Sequence, residues 1–396
     1  MSIATSPLRI AIISASLPPA SVGGIARWFG DLAPTLHAQG HDVRIITAHS
    51  PATVTMAHTY RVPATPTRHL LPEAFPHLNN FASGVVDVLD SWEREGWIPN
   101  VVYGPAFDAE TLGVLRATRH RVVSMLATPL AVTAELTGHL ALDSHSAAFE
   151  RMRMLEAEVF TRSHRIHALS HCIVDTINNL YPVVLSAPRT QIIPLGLADM
   201  KFNARKRDRD PHIMFVGRLE KRKGIDTLLE ALPRVLSEVK NAWVTIAGPE
   251  VPHVGQEMSF EKEFHLMHGT KVWSGRVAFV GQLSEKKLQR LYEFANIGVF
   301  PSRYESFGLV AVEAMRAGMA AVGTSGTGLA EVIAHESTGL VIPPDDVDAL
   351  AGALIRLCHV DRHAFGRLGR EDYERSFTIQ LSAERVANLL CEVAKV

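Results

Sequence analysis

Two carboxylates eight residues apart bracket a serine, an aromatic, a glycine and an apolar run in Glu305-Ser-Phe-Gly-Leu-Val-Ala-Val-Glu313. Ahead of them Ile297 to Phe300 is a short apolar run suited to a buried strand, and Pro301-Ser302 ends it. That order predicts Glu305 on a loop and Glu313 deeper, inside the helix that follows. Leu309, Val310, Ala311, Val312, Ala314 and Met315 make this helix apolar on nearly every side. An ionised carboxylate there is costly unless something hydrogen-bonds it. A pair of hydroxyl groups on a bound molecule would do so; the plainer alternative is an ion pair with Arg303 or Arg316.

A second group of reactive types lies in Phe215-Val-Gly217-Arg218-Leu-Glu-Lys-Arg-Lys223-Gly224, between an apolar strand and a helix that opens at Ile225. Guanidinium, ammonium and backbone N–H groups converging on a positive helix end favour a phosphate-rich ligand. Alone, Lys221 to Lys223 read better as a solvated basic turn; beside Glu305 to Glu313 that reading falls behind. A weaker signal is Gly23-Gly24, where backbone can approach a ligand closely at the start of the Ile25 helix.

The elements that must position these groups alternate along the chain. Arg9 to Ser14 is an apolar run of the kind found in buried parallel strands, followed by the Pro-, Ser- and Gly-rich segment up to Gly24. Ile25, Trp28, Phe29, Leu32 and Leu36 then repeat at helical spacing, and Val43 to Thr47 supplies the next strand, giving a βαβ unit. Further strands are predicted at Val101 to Tyr103, Val122 to Leu126, Ile166 to Leu169 and Ile192-Ile193, with helical stretches near Asp108 to Ala117 and Ser146 to Phe160. A polar stretch, Leu197 to Pro211, interrupts the pattern and reads as a solvated linker. Alternation resumes with strands at Ile213 to Val216, Trp243 to Ala247, Val277 to Val280, Ile297 to Phe300, Ala320 to Gly323 and Leu340 to Ile342. The expectation is an α/β protein of two doubly wound domains, 1–200 and 201–380, with a last helix in 381–396 packing back on the first.

Composition bounds the function. At 396 residues the chain is sized for two domains, and a net charge of -1 gives no global case for nucleic acid. Cys172, Cys358 and Cys391 match no CxxC framework, which suits a reduced cytoplasmic protein. No apolar run approaches ~20 residues, and Met1 to Arg9 lacks the order of a signal peptide. Peripheral contact with anionic lipid at the inner face of a membrane is one reading of the basic cluster Arg116, Arg119, His120 and Arg121; a solvated helix end is the other.

Other chemistries are weaker. The dinucleotide fingerprint Gly-x-Gly-x-x-Gly is absent, and Asp42 precedes the second strand rather than closing it. No Gly-x-Ser-x-Gly surrounds Ser170. His164, His167 and His171 would not share one face of a strand, and Asp346-Val-Asp348 sits where acidic caps belong, so no metal site is expected. As a hydrolytic acid and base, Glu305 and Glu313 are too far apart: eight helical residues span roughly 12 Å, against the ~5 to 9.5 Å such pairs use.

Taken together, these segments resemble the retaining GT-B glycosyltransferases of family 4, the glycosyl transferases group 1. The resemblance runs through Gly23-Gly24, Ile193-Pro-Leu-Gly196, Val216-Gly-Arg218, Lys223-Gly224, Val280-Gly281, Glu305 to Glu313, Gly328-Leu-Ala-Glu331 and Thr338-Gly339-Leu. It implies two Rossmann-like domains facing across a cleft and transfer of a hexosyl unit from a UDP- or GDP-sugar to an acceptor hydroxyl without metal or other cofactor. Arg218, Lys223 and Glu305 are the implied catalytic residues, the first two on the diphosphate and the third on the transferred sugar. Glu313 is implied on the ribose, with Gly23, Gly24, Gly217, Ser306, Phe307, Gly308 and Leu309 completing donor binding.

Two departures matter. Gly104-Pro-Ala-Phe107 and Leu126-Ala-Thr128-Pro129 lack the histidine that many relatives carry in the first domain, and Thr327-Gly328 replaces a Gly-Gly pair. Asp108, Glu110 and Thr128 are the candidate contacts to an acceptor, whether glycan, lipid-linked or small molecule. A sugar-nucleotide epimerase and a noncatalytic sugar-nucleotide-binding subunit are the alternatives on the same architecture.

Overall fold

The computed structural model describes residues 7–18, 23–48, 58–63, 65–72, 75–137, 147–200, 202, 210–251, 258–360 and 362–395. Most of the polar linker, 201 and 203–209, lies outside them. Two units divide the chain, one comprising Met1–Ala131, Leu142–Ala198 and Ile379–Val396, the other Val132–Ala141 and Asp199–Thr378.

Up to Ala198 the order is β1 (Arg9–Ile13), α1 (Gly24–Ala38), β2 (Asp42–Thr47), β3 (Thr59–Arg61), α2 (Pro76–Arg94), β4 (Val101–Pro105), α3 (Leu112–Ala117), β5 (Val122–Met125), α4 (Leu130–Thr137), α5 (Ala147–Arg162), β6 (Arg165–Ala168), α6 (His171–Leu180) and β7 (Thr190–Ile192). The seven strands form one parallel sheet in the order β3-β2-β1-β4-β5-β6-β7. Ile10 to Ile13 are wholly buried, as a central strand covered on both faces requires. Asp42 is the first residue of β2, not a residue ahead of it, and accepts from the Trp97 indole at 2.6 Å.

The second unit continues with β8 (His212–Val216), α7 (Ile225–Glu238), β9 (Trp243–Ala247), α8 (Phe260–His268), β10 (Val277–Gly281), α9 (Glu285–Phe294), β11 (Ile297–Val299), α10 (Leu309–Arg316), β12 (Ala320–Thr324), α11 (Leu329–Val332), β13 (Gly339–Ile342), α12 (Val347–His359) and α13 (Arg362–Ser376). Its six strands are also parallel, ordered β10-β9-β8-β11-β12-β13. Ile225, Leu228, Leu232, Val235 and Leu236 of α7 pack into a core with Ile213, Phe215, Ile246 and Val299 from the sheet. Asp346 caps α12 by accepting from the Ala349 N–H at 2.8 Å, and Asp348 lies 3.2 Å from Arg234.

The last helix, α14 (Ile379–Lys395), belongs to the first unit, where it packs on α1 and β4. Ile379 N–H donates to the Leu197 carbonyl at 2.9 Å and the Ser382 hydroxyl to that of Pro194 at 2.9 Å. In each sheet the strand order reverses beside the first strand: β1 lies between β2 and β4, and β8 between β9 and β11. Ligands of open α/β sheets bind at the carboxyl ends of the strands flanking such a reversal. The loops after β1 and β4, and after β8 and β11, are therefore the places to look.

Candidate active site

In the second unit the loop after β8 carries Arg218 and Lys223, and the loop after β11 carries Glu305. Lys221 to Lys223 make one tight turn that ends on Gly224 at φ 66, where a Cβ would lie 1.9 Å from the Pro301 carbonyl oxygen. Only glycine lets the two loops pass so closely. Across that contact the Lys223 ammonium pairs with the Glu305 carboxylate, 82 residues away in sequence. Burial pushes the Lys223 amine down from its ordinary value against the pull of Glu305. Burial also works to raise Glu305, but Lys223, Arg222 and Arg218 together outweigh it and hold the carboxyl below its usual range. Glu305 is thus kept ionised in a buried site.

Arg218 is half-exposed, with Nη2 3.1 Å from Oε1 of the buried Glu220. Arg222, also buried, donates to the same oxygen at 2.7 Å and to the Tyr304 carbonyl at 3.3 Å. Neither Glu220 nor Arg222 stands out in the sequence, because both lie within a charge run that reads as solvated. Gly217 directly follows β8, its N–H on the Ala247 carbonyl at 3.0 Å.

Glu313 lies inside α10 and is 2% exposed. Its Oε2 accepts from the Tyr292 hydroxyl at 2.5 Å, so the donor that the burial of this carboxylate demands comes in part from α9. Arg303, one of the two alternatives for pairing it, is instead held by Asp226 at 2.8 Å and Asp345 at 2.7 Å. The helix begins only at Leu309, after Gly308 at φ 99, so half of the interval from Glu305 to Glu313 is loop. The length of an eight-residue helix is therefore the wrong ruler, and the two carboxylates differ instead by partner, Lys223 for one and Tyr292 for the other. Ser306 and Phe307 are buried, and the Gly328 N–H donates to the Glu305 carbonyl at 2.7 Å. The Thr327 hydroxyl is used within its own loop, donating to the Thr324 carbonyl at 3.0 Å and accepting from the Leu329 N–H at 3.2 Å.

Gly23 and Gly24 sit in the other unit, exposed at the start of α1, with Gly23 at an ordinary φ of -64. Asp108 and Glu110 follow β4, and Thr128 follows β5. The helix expected from Asp108 to Ala117 is broken: Asp108 and Ala109 take left-handed φ values of 51 and 52, and α3 starts at Leu112. Glu110 closes the β1/β4 reversal by accepting from the Ala15 N–H at 2.9 Å. Burial raises Asp108, and it pushes Glu110 up to about 8 against the Ala15 hydrogen bond and with the help of the Asp108 charge. Burial likewise takes Glu156 up to about 8, although it accepts from the Tyr181 hydroxyl and from the Leu130 N–H at 3.1 Å. Glu156 was detectable in the sequence as a carboxylate within the apolar stripe of Met152, Val159 and Phe160.

These two glutamates give the protein a pH signature. Between the usual 4.5 and about 8 the folded chain binds their protons more tightly than the unfolded chain does. Their stabilisation is complete below the unfolded value and is lost as pH rises through about 8. The thermal midpoint of wild type relative to Glu156→Gln is expected to fall by several degrees between pH 5 and pH 9. A difference that stays constant or grows would contradict the burial of a protonated carboxyl.

The histidines diverge. His167 is wholly buried between the Tyr103 hydroxyl at 2.6 Å and the Ile193 carbonyl at 2.7 Å, and burial takes it down to about 4. His164 accepts from the Val122 N–H at 3.1 Å, and His171 is exposed at the start of α6. Among the described residues no three His, Cys, Asp or Glu side chains gather as a metal site. Of the basic cluster read as a lipid contact or a solvated helix end, Arg116 is engaged by both oxygens of Glu158, at 3.0 and 2.5 Å, and His120, its side chain largely buried, lies 3.1 Å from Glu93. No helix among the described residues is long and apolar enough to cross a membrane.

Comparison with known proteins agrees with this fold. Residues 23–196 match the glycosyl transferase 4-like domain, and residues 198–372 match glycosyl transferases group 1. A glycosyltransferase of Methanocaldococcus jannaschii is 29% identical over 88% of this chain and 89% of its own length. A GDP-mannose-dependent monoacylated alpha-(1-6)-phosphatidylinositol monomannoside mannosyltransferase of Corynebacterium glutamicum is 32% identical over 46% of this chain and 48% of its own. The sucrose-phosphate synthase of Thermosynechococcus elongatus shares the fold with a TM-score of 0.72 at 23% identity, covering 96% of this chain and 98% of that one. With two parallel doubly wound domains, each matched by its own family model, the chain is a GT-B enzyme that belongs to the group 1 glycosyltransferases.

Proposed function

We propose that the chain moves a hexosyl unit from a UDP- or GDP-sugar to an acceptor hydroxyl, with retention of anomeric configuration and without a divalent metal. The observation that carries this reading is the Lys223–Glu305 pair across the β8/β11 reversal, with Arg218 beside it and Glu313 further along α10. Arg218 and Lys223 receive the diphosphate, aided by the backbone N–H groups that open α10 around Phe307, Gly308 and Leu309. Glu305 meets the transferred sugar and Glu313 the ribose. As the bond from anomeric carbon to phosphate oxygen breaks, its electron pair stays on the diphosphate, and the two cations stabilise that growing charge. Same-face attack sets the acceptor hydroxyl beside the departing phosphate oxygen, which is the nearest base for its proton. The mannosyltransferase relative, GDP-mannose-dependent by its description, supports a nucleotide-sugar donor. Asp108, Glu110 and Thr128, near the β1/β4 reversal and the end of β5, are the acceptor contacts in this reading, for a glycan, lipid-linked or small-molecule acceptor.

The test is to supply UDP- and GDP-hexoses with a panel of such acceptors and read the anomeric coupling of the first product by NMR. Retention at the transferred carbon is expected. An inverted product, or an epimerised donor formed without acceptor, would refute the reading.

A further inference from the structure

Glu220 takes no part in that chemistry, yet it is buried to 2% exposure between two guanidinium groups, and Arg222 to 4%. Its Oε1 lies 2.7 Å from Nη2 of Arg222 and 3.1 Å from Nη2 of Arg218. Its Oε2 is buried and has no hydrogen-bond partner among the described residues, and neither has Nε of Arg222. We infer that Glu220 is a positioning residue of the donor site, a single carboxylate oxygen that fixes the Arg218 guanidinium against the anchored Arg222. This rests on the donor reading above.

The backbone ties the carboxylate to both cations of the loop. Glu220 N–H donates to the Arg218 carbonyl at 3.0 Å, and its own carbonyl accepts from the Lys223 N–H at 2.9 Å. Arg222 links the loop to the far side of the reversal: Nη1 donates to the Tyr304 carbonyl, and its own carbonyl accepts from the Arg303 N–H at 2.9 Å. Glu305 is the next residue after Tyr304. One buried pair thus sets the register between the loop that holds Arg218 and the loop that holds Glu305. A free arginine must be ordered when the diphosphate is bound, at a cost in rotamer entropy, whereas an arginine already held against a fixed carboxylate has less to lose. A pair kept for stability alone is a poor account of the arrangement. Buried ion pairs add little net stability, and orphaned buried polar atoms subtract from it.

A mutant cycle separates the two roles. UDP and GDP binding is measured by calorimetry for wild type, Glu220→Gln, Arg218→Ala and the double variant, with the thermal midpoint of each recorded. Glu220→Gln is expected to weaken diphosphate binding roughly tenfold in wild type and less than about twofold when Arg218 is already alanine, because residues acting as one unit are non-additive. Equal losses in both backgrounds would overturn the inference while leaving the donor reading in place. If Arg218→Ala binds as well as wild type, or wild type binds neither probe, the donor reading fails and this inference with it. Should Glu220→Gln not fold, Glu220→Gln/Arg222→Met removes both buried charges at once. A purely structural pair predicts wild-type affinity in that protein, and a positioning role predicts that the loss persists.

Discussion

Arg218→Ala is expected to lower turnover by about 100- to 1,000-fold, the range seen when one preorganised donor to a developing anion is removed. The loss arises in the transition state, because charge on the leaving diphosphate is greater there than in the bound donor. Arg218 is half-exposed and its carboxylate partner keeps Arg222, so the fold should survive the change. Lys223→Ala should cost a similar factor in turnover and also stability, since Glu305 is left buried without its ammonium partner. Breaking a buried pair from one side costs about 3–5 kcal/mol. Steady-state kinetics and urea unfolding on both variants would show the split: Arg218→Ala slow and stable, Lys223→Ala slow and destabilised. Near-normal turnover in both would remove the diphosphate assignment.

The second large effect concerns Glu313. Hydrogen bonds to a charged group contribute roughly 1.5–3 kcal/mol each, so Glu313→Gln, which removes the charge and keeps the shape, should weaken nucleoside diphosphate binding by about 10- to 100-fold. Tyr292→Phe makes the contrast. It takes away the internal donor at 2.5 Å but leaves the carboxylate for the ribose. That variant should lose about 1–3 kcal/mol of stability with most of its affinity intact. Unaltered affinity in Glu313→Gln would sink the ribose role, whatever happens to Tyr292→Phe.

The sheets were largely legible because buried parallel strands read as unbroken apolar runs, as Ile10 to Ile13 and Ile297 to Val299 do. Strand order was not, since it depends on which runs pair in space. The reversals beside β1 and β8, where the site loops converge, therefore came only from the structure. Helix α2 escaped notice because Gly84, Val85, Val86 and Val88 are poor helix formers, and it is packing on α3 that sustains it. Within the candidate site, Arg218, Lys223 and Glu305 were visible as charged groups near glycines at strand-to-helix turns, and Glu313 as a carboxylate inside an apolar helix. Their partners were not: Glu220 and Arg222 hide in a charge run, and Tyr292 lies 21 residues from Glu313 on another helix. A sequence shows which groups are expensive to bury, and the fold decides what meets their needs.

The proposed function requires that the second unit hold a nucleoside diphosphate through its own side chains. Calorimetric titration of the full chain with UDP and with GDP, in excess EDTA, tests this most directly. Saturable one-site binding of at least one of them, at micromolar to millimolar concentration and unchanged by added magnesium, is the predicted result. Absence of binding to both, or binding that appears only when magnesium is restored, would contradict it.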